Sequence, residues 1–153
     1  MFGLFKKKQV TYFSEEEKQL IVQAIQKAEQ RTSGEVRIYI ESHCRFMDPL
    51  MRAAEVFHVL KMTETTARNG VLVYVAMKDR QLAVYGDEGI HAKVGNAFWN
   101  MQVQKMLEHF NKNNYAQGIA QIILEIGEAL FTHFPYDGKT DKNELPDEIV
   151  FGK

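Results

Sequence analysis

The chain has 153 residues, of which 45% are hydrophobic and 25% are charged, which is the composition of an ordinary globular protein and excludes extensive disorder. A chain of this length buries most of its surface in one core, so we expect a single domain that needs no metal or disulfide to fold. Its 19 Lys and Arg against 20 Asp and Glu leave a net charge of −1, which excludes a general attraction for nucleic acid.

The first half of the chain predicts two helices and one strand. Ser14 opens a capping-box sequence, and the apolar residues after it keep helical spacing, so a first helix is predicted from Glu15 to Arg31. Apolar and polar residues then alternate from Val36 to Glu41, which predicts a strand. Asp48 and Pro49 provide the N-cap and first residue of a second helix.

The second half predicts a hairpin followed by two helices. The run from Val71 to Met77 is apolar throughout, which is typical of a central strand buried on both faces. Only Lys78-Asp79-Arg80 separates it from the next strand, Gln81 to Tyr85, so the two should pair antiparallel. An amphipathic helix containing Trp99 follows, and a last helix, with Asn113-Asn114 available as its cap, ends before Pro135.

These elements predict an α/β fold: a three-layer α/β/α sandwich with a small, mostly parallel sheet. The sheet combines a βαβ unit with an antiparallel hairpin strand, and about four main helices cover it. The domain is expected to span residues 14–135, preceded by a flexible segment over 1–13. Residues 136–153 should form an extended tail packed on or near the domain, held by apolar residues such as Ile149 and Phe151.

Oxygen-bearing side chains are predicted to converge at one edge of the sheet. In a right-handed βαβ unit both parallel strands start at the same edge, and the antiparallel third strand ends there. This places Glu35 and Asn69 near Asp87 and Glu88, which are oxygen donors of the kind that calcium and magnesium prefer. The alternative is that Asp87 and Glu88 are turn residues on a solvated, glycine-flanked loop.

The opposite edge carries a second polar group, Glu41 to Cys44 with Lys78-Asp79-Arg80 at the hairpin. Ligands of open α/β sheets commonly bind beyond the carboxyl ends of parallel strands. Cys44 has no cysteine partner, and we expect it to be a packed structural residue rather than a nucleophile. The scattered histidines do not have zinc-site spacing, and no glycine-rich phosphate loop follows any strand.

The sequence also indicates a compartment. The single cysteine suits a reducing environment, so the cytoplasm is expected. The first residues place apolar side chains before Lys6-Lys7-Lys8, the reverse of a signal peptide, and a frayed end is favoured over weak membrane contact. The longest apolar run is far shorter than the roughly 20 residues of a transmembrane helix, so no transmembrane segment is expected. We also expect the chain to be a monomer.

Several motifs in this order resemble those of the TPM domain family, named after its thylakoid-lumen, photosystem-repair and receptor-modulator members. The motifs are Thr32-Ser33-Gly34-Glu35-Val36, Asn69-Gly70-Val71-Leu72-Val73-Tyr74-Val75, Gly86-Asp87-Glu88-Gly89-Ile90 and Asn114-Tyr115-Ala116-Gln117-Gly118. Further short matches resemble a compact bacterial branch without a membrane anchor: Arg68-Asn69-Gly70, Phe98-Trp99, His133-Phe134-Pro135-Tyr136 and Glu144-Leu145-Pro146-Asp147-Glu148.

The resemblance implies an α/β/α sandwich, divalent-cation binding by acidic loop residues in some members, and an acid phosphatase activity proposed for plant relatives. Carried over residue by residue, it implies Asp87 first and Glu88 second as ligands. The sequence departs from the family where Arg68 replaces an acidic residue before Asn-Gly, and where Gly86 to Gly89 replaces Gly-Tyr-Gly-Leu-Glu-Gly. Arg68 is expected either to bind an anion or to pair with Asp87.

Three functions compete. The first is a calcium- or magnesium-binding accessory domain without catalysis, with Asp87, Glu88, Glu35 and Asn69 as ligands. The second is a phosphatase in which a metal and Arg68 or Arg80 neutralise a phosphomonoester. The third is a metal-independent protein-interaction module that uses the Thr63 to Arg68 loop or the acidic C-terminal tail.

Overall fold

The fold belongs to the predicted α/β class. The computed structural model describes residues 12–136 and 148–152. The helices are α1 (Glu15–Glu29), α2 (Pro49–Val59), α3 (Glu88–Asn111) and α4 (Tyr115–His133), and the strands are β1 (Glu35–Glu41), β2 (Gly70–Ala76), β3 (Gln81–Gly86) and β4 (Ile149–Phe151).

The strands form one mixed sheet in the order β3-β2-β1-β4. β1 pairs in parallel with β2, and β2 pairs antiparallel with β3, which confirms the predicted βαβ unit and hairpin. Within the segment predicted only as an extended tail, Ile149–Phe151 forms β4, which adds in parallel to the other side of β1, while residues 137–147 of that segment lie outside the described residues. In the register Glu35 lies beside Gly70, and Val71 lies beside Gly86. The starts of β1 and β2 and the end of β3 therefore lie along one edge of the sheet, the edge that the strand ends form.

The sheet separates two apolar cores because successive side chains of a strand point to opposite faces. One face packs against α1, α3 and α4 through residues such as Ile38, Val73 and Ile126. The other packs against α2 and the segment after it through Phe57 and Met62. The larger core also contains Phe13, which belongs to the predicted N-terminal segment.

The start of α3 differs from the interpretation of Gly86 to Gly89 as a loop. Gly86 is the last residue of β3, Asp87 is the N-cap of α3, and Glu88 and Gly89 lie in its first turn. The loop interpretation was wrong because the Asp87 side chain accepts the Glu88 N–H, which caps a helix directly after the strand. The acidic pair is therefore fixed by regular structure on both sides.

Two smaller differences concern the helix ends. The first helix ends at Glu29, two residues before the predicted Arg31. Asn114 occupies the N-cap position of α4, but its side chain makes no capping hydrogen bond. In the part of the chain that the structure describes, no helix combines the length and apolar character needed to cross a membrane.

Candidate functional site

The segments that carry the predicted ligands are joined by backbone hydrogen bonds at the shared sheet edge. The Asp87 N–H donates to the Gly70 carbonyl at 2.9 Å, and the Gly89 N–H donates to the Arg68 carbonyl at 2.8 Å. The Glu35 N–H donates to the Asn69 carbonyl at 3.4 Å. The ends of three strands and the first turn of α3 therefore form one backbone framework.

Asp87 is the centre of this framework. Its side chain is only 4% exposed, and its two oxygens accept hydrogen bonds from the Arg68 guanidinium, Nε to Oδ2 at 2.7 Å and Nη2 to Oδ1 at 2.9 Å. The Glu88 N–H also donates to Oδ1, at 2.8 Å. The hydrogen bond to Asp87 raises the pKa of Arg68 above its ordinary value. Of the two roles predicted for Arg68, pairing with Asp87 is the one that the structure shows.

Gly89 allows Arg68 to come this close. A Cβ atom at this position would lie 2.2 Å from the Ala67 carbonyl oxygen and 2.6 Å from the Arg68 carbonyl oxygen, which is too close for any other residue. Arg68 itself has a positive φ of 52°, a conformation that few non-glycine residues adopt. The close approach of the loop to α3 thus depends on both residues.

Glu88 lies on the outer side of the ion pair between Arg68 and Asp87. Its carboxylate accepts a hydrogen bond from Arg68 Nη1 at 3.2 Å, and its side chain is 73% exposed. Solvent screens an ion pair with such an exposed partner, so this contact stabilises the fold little. Glu88 remains accessible to a ligand from solution.

Asn69 and Glu35 are both buried, but they have different surroundings. The Asn69 amide donates to Ser33 Oγ at 3.2 Å, while its Oδ1 atom is buried without a hydrogen-bond partner among the described residues. Glu35 lies across Gly70 from Asp87, two strand spacings or about 10 Å away. The Met62 carbonyl oxygen fills the space above Gly70, 3.1 Å from where a Cβ would be.

The donors at this edge fit a hard cation in chemical type, since they are carboxylate and amide oxygens. Asp87 also binds a positive charge in the structure, that of Arg68. Within residues 12–136 and 148–152, however, no three His, Cys, Asp or Glu side chains lie close enough together to hold a metal ion. Asp87 and Glu88 are the two acidic side chains at this edge that Arg68 joins through hydrogen bonds.

A pocket of about 530 Å³ adjoins the pair along the outer side of β3. Because its lining reaches from Leu50 to His58 on α2, it is an elongated groove of at least about 12 Å. Arg68, Asp87 and Glu88 are among its lining residues, and Trp99 of α3 forms part of the wall. No pattern along the chain predicts this groove, because residue spacing does not show how α2 and α3 flank an edge strand.

The opposite sheet edge holds two separate polar groups. Asp79 accepts hydrogen bonds from His43 Nδ1 and from the Cys44 N–H, both at 2.8 Å, and these lower its pKa. Cys44 is buried, and its thiol donates to the Met47 carbonyl at 3.4 Å, as expected of a packed structural residue.

The second group is centred on Glu41, whose carboxylate is buried. Arg52 donates to both of its oxygens, at 2.9 and 3.0 Å, and the buried Tyr74 hydroxyl donates to one of them. Burial raises the pKa of Tyr74 well above its ordinary value. Since these donors satisfy the carboxylate, the group is best explained as a structural element.

Comparisons with known proteins agree with this architecture. The family model of the TPM domain matches residues 7–129. The NMR structure of the BA42 protein from the psychrophilic bacterium Bizionia argentinensis is similar at 40% identity with a TM-score of 0.85, covering 95% of this chain and 99% of that one. A search of curated proteins gave no match.

Two more distant structures share the fold. The N-terminal domain of the cg2496 protein from Corynebacterium glutamicum is 13% identical, with a TM-score of 0.62 over 78% of this chain and 74% of that one. The N-terminal domain of a protein from P. gingivalis is 14% identical, with a TM-score of 0.66 over 82% of each chain. At such low identity these two likenesses concern the fold alone.

Proposed function

Because this chain belongs to the TPM domain family, we propose that it is a non-catalytic binding or accessory domain that takes up calcium or magnesium at the start of α3. The observation that carries this proposal is that Asp87 and Glu88 both line the groove beside β3, where the bidentate contact with Arg68 already shows that the Asp87 carboxylate binds a positive charge. A carboxylate buried in this way needs a cationic partner, because an uncompensated buried charge is costly.

The proposed ligands differ in their roles. Asp87 is the central ligand, and the exposed Glu88 is the one that meets the ion first. Asn69 is the third candidate, because its buried Oδ1 atom has no partner in the described residues, and Glu35 is the most distant. Magnesium is usually bound by one or two carboxylates and keeps several waters, while calcium tolerates irregular sets of oxygen ligands.

The test is a backbone amide NMR titration of chelator-treated protein with calcium and then magnesium. We expect saturable shifts at Gly86 to Gly89 and at Asn69 in the wild-type chain. The Asp87→Asn variant should bind at least about tenfold more weakly, because it loses the central ligand charge. Asn remains a good N-cap, so α3 should persist.

Asp79→Asn is the matched control. Asp79 also accepts hydrogen bonds from a basic side chain, His43, and from a backbone N–H, that of Cys44, but it lies at the opposite edge of the sheet, and its substitution changes the net charge in the same way. This control should bind the cation as the wild type does. Equal losses in both variants, or saturable shifts only at residues away from Asn69 and Gly86 to Gly89, would reject the proposed ligands.

A second candidate function is supported by the groove beside β3. A concave site of about 530 Å³ lined by both polar groups and an aromatic side chain is the usual form of a small-ligand or side-chain pocket. It would make the chain a metal-independent interaction module. Binding of a partner that persists in chelator and in Asp87→Asn, but fails when Trp99 is replaced, would favour this candidate.

The phosphatase alternative has less geometric support. Arg68 is engaged by Asp87, and Arg80 lies at the other edge of the sheet, where it donates to the Tyr115 hydroxyl at 3.4 Å. Arg68 is thus occupied by a carboxylate, and Arg80 lies away from the proposed cation ligands. Turnover of a generic phosphate ester that depends on added metal and disappears in Asp87→Asn would overturn the non-catalytic proposal.

A further inference from the structure

We infer that Arg68 is an internal cation that competes with the divalent ion for Asp87 and so sets the affinity of the site. This inference rests on the proposed function, since it concerns the control of the same site. In the free protein the guanidinium holds the place beside Asp87, and cation binding requires that it leave.

Most lone pairs of the Asp87 carboxylate are occupied in the structure. An ionised carboxylate accepts about four hydrogen bonds, two on each oxygen. Oδ1 accepts from Arg68 Nη2 and from the Glu88 N–H, and Oδ2 accepts from Arg68 Nε. Only one acceptor position on Oδ2 remains, so a metal ion cannot be bound by both oxygens while Arg68 is in place.

Arg68 and a divalent ion at this site would also repel each other. The guanidinium carries a full positive charge at any pH at which the fold persists. A divalent ion at Asp87 and Glu88 would lie within a few ångströms of this charge, because Arg68 donates to both carboxylates. Repulsion between the two cations therefore weakens binding of the divalent ion as long as Arg68 stays in place.

The Arg68 side chain is able to leave its place beside Asp87. Its side chain is 40% exposed and borders the open groove beside β3, so the guanidinium can turn into solvent. The backbone does not have to follow, because the Arg68 carbonyl is held by the Gly89 N–H at 2.8 Å. The exchange of one cation for another is thus a side-chain movement on a fixed framework.

The experiment compares calcium titrations of the wild type, Arg68→Gln, Arg68→Lys and Arg68→Gln combined with Asp87→Asn, followed by amide NMR. We expect Arg68→Gln to bind calcium about tenfold tighter or more, a factor typical of the coupling between two binding events. Lysine keeps the charge but not the bidentate contact, so Arg68→Lys should be intermediate. The double variant should lose the gain.

Arg31→Gln is the matched control, because it also removes one exposed arginine from an ion pair, with Glu128 at 2.8 Å, but on the α1 and α4 side of the molecule. It should leave calcium affinity unchanged. The wild type gives an independent readout that does not depend on how the variants fold: the Nε–H resonance of Arg68 should move to the position of a solvent-exposed arginine as calcium saturates the site.

The outcomes separate the two proposals. Calcium binding that depends on Asp87 but is equal in wild type and Arg68→Gln, with an unmoved Arg68 resonance, overturns the inference and leaves the proposed function standing. Binding by Arg68→Gln alone supports the inference and shows that the wild-type chain keeps the site closed, against the proposed function. Absence of binding in both chains overturns both.

Discussion

Two aspartates show how a single residue acquires its role from its neighbours. Asp79 and Asp87 each accept a side-chain hydrogen bond from a basic residue and a backbone N–H at the end of a turn or strand. The sequence predicted that Asp87 lies at the edge where the strands meet and allowed it to pair with Arg68. The sequence did not predict which donors would bind the Asp87 carboxylate, since that depends on side-chain directions within a few ångströms.

Asp79 leads to a prediction about pH. The hydrogen bond from His43, followed by that from the Cys44 N–H, lowers the pKa of Asp79 below its ordinary value of 3.8. Its contribution to stability is therefore complete above that value and is lost as the pH falls through the lower pKa of the folded state. We expect Asp79→Asn to be less stable than the wild type at pH 7, with a difference that shrinks below about pH 4.

Urea unfolding of both chains between pH 7 and pH 2.5 measures this difference. An Asn side chain keeps an acceptor for the Cys44 N–H, so the variant isolates the charge that faces His43. A stability gap that stays constant across the acid range would show that the ionisation of Asp79 does not support the hairpin.

At the scale of elements, α3 is a helix with a break. Gly95 has φ 75° and ψ 174°, inside the span assigned to one helix. Only glycine adopts this region readily. The hydrogen bond from Trp99 Nε1 to His91 Nδ1, at 3.0 Å, bridges the break. The apolar stripe around Trp99 predicted the second part of α3, but the first part has too few apolar residues to show a helical period.

We expect Gly95→Ala to destabilise the domain by about 1–3 kcal/mol, the cost of holding a Cβ-bearing residue in this conformation. A Cβ at Gly95 would meet nothing within 4 Å, so the cost comes from the backbone and not from a steric clash with neighbours. Urea unfolding followed by the fluorescence of the single Trp99 measures the effect and reports on the His91 contact.

Lys93→Ala, at an exposed position on the same helix, is the control and should change stability by less than about 0.5 kcal/mol. If Gly95→Ala were as stable as this control, the break in α3 would not be imposed by the glycine, and a straight helix would be equally compatible with the site.

At the scale of the whole molecule, the sheet connects two cores that cannot form without it. Ile126 of α4 is buried in the larger core and Phe57 of α2 in the smaller one. β1 and β2 contribute side chains to both, so loss of either core exposes one face of the same strands. We therefore expect one cooperative unfolding transition for the domain.

We predict that Ile126→Ala lowers the free energy of unfolding by about 2–5 kcal/mol and Phe57→Ala by about 3–5 kcal/mol. Each variant should shift the single unfolding transition to a lower urea concentration. Far-UV circular dichroism and Trp99 fluorescence should give coincident urea curves in both variants. Leu124→Ala, a partly exposed position on α4, should cost less than about 1 kcal/mol. Separate transitions for the two probes would mean that the smaller core unfolds independently.

The sequence by itself determined the class, the order of the elements and the neighbourhood of the candidate site. These follow from local patterns, since the period of the apolar residues, the capping-box sequence at Ser14 and the short hairpin at Asp79 act over a few residues. The βαβ handedness then brings the strand ends to one edge.

Only the tertiary structure decided how that edge is built. The start of α3 directly after β3, the place of Met62 above Gly70, the pairing of Arg68 with Asp87 and the groove beside β3 all depend on contacts between distant segments. Such contacts are set by packing and by the balance of buried charge, which no periodicity along the chain records.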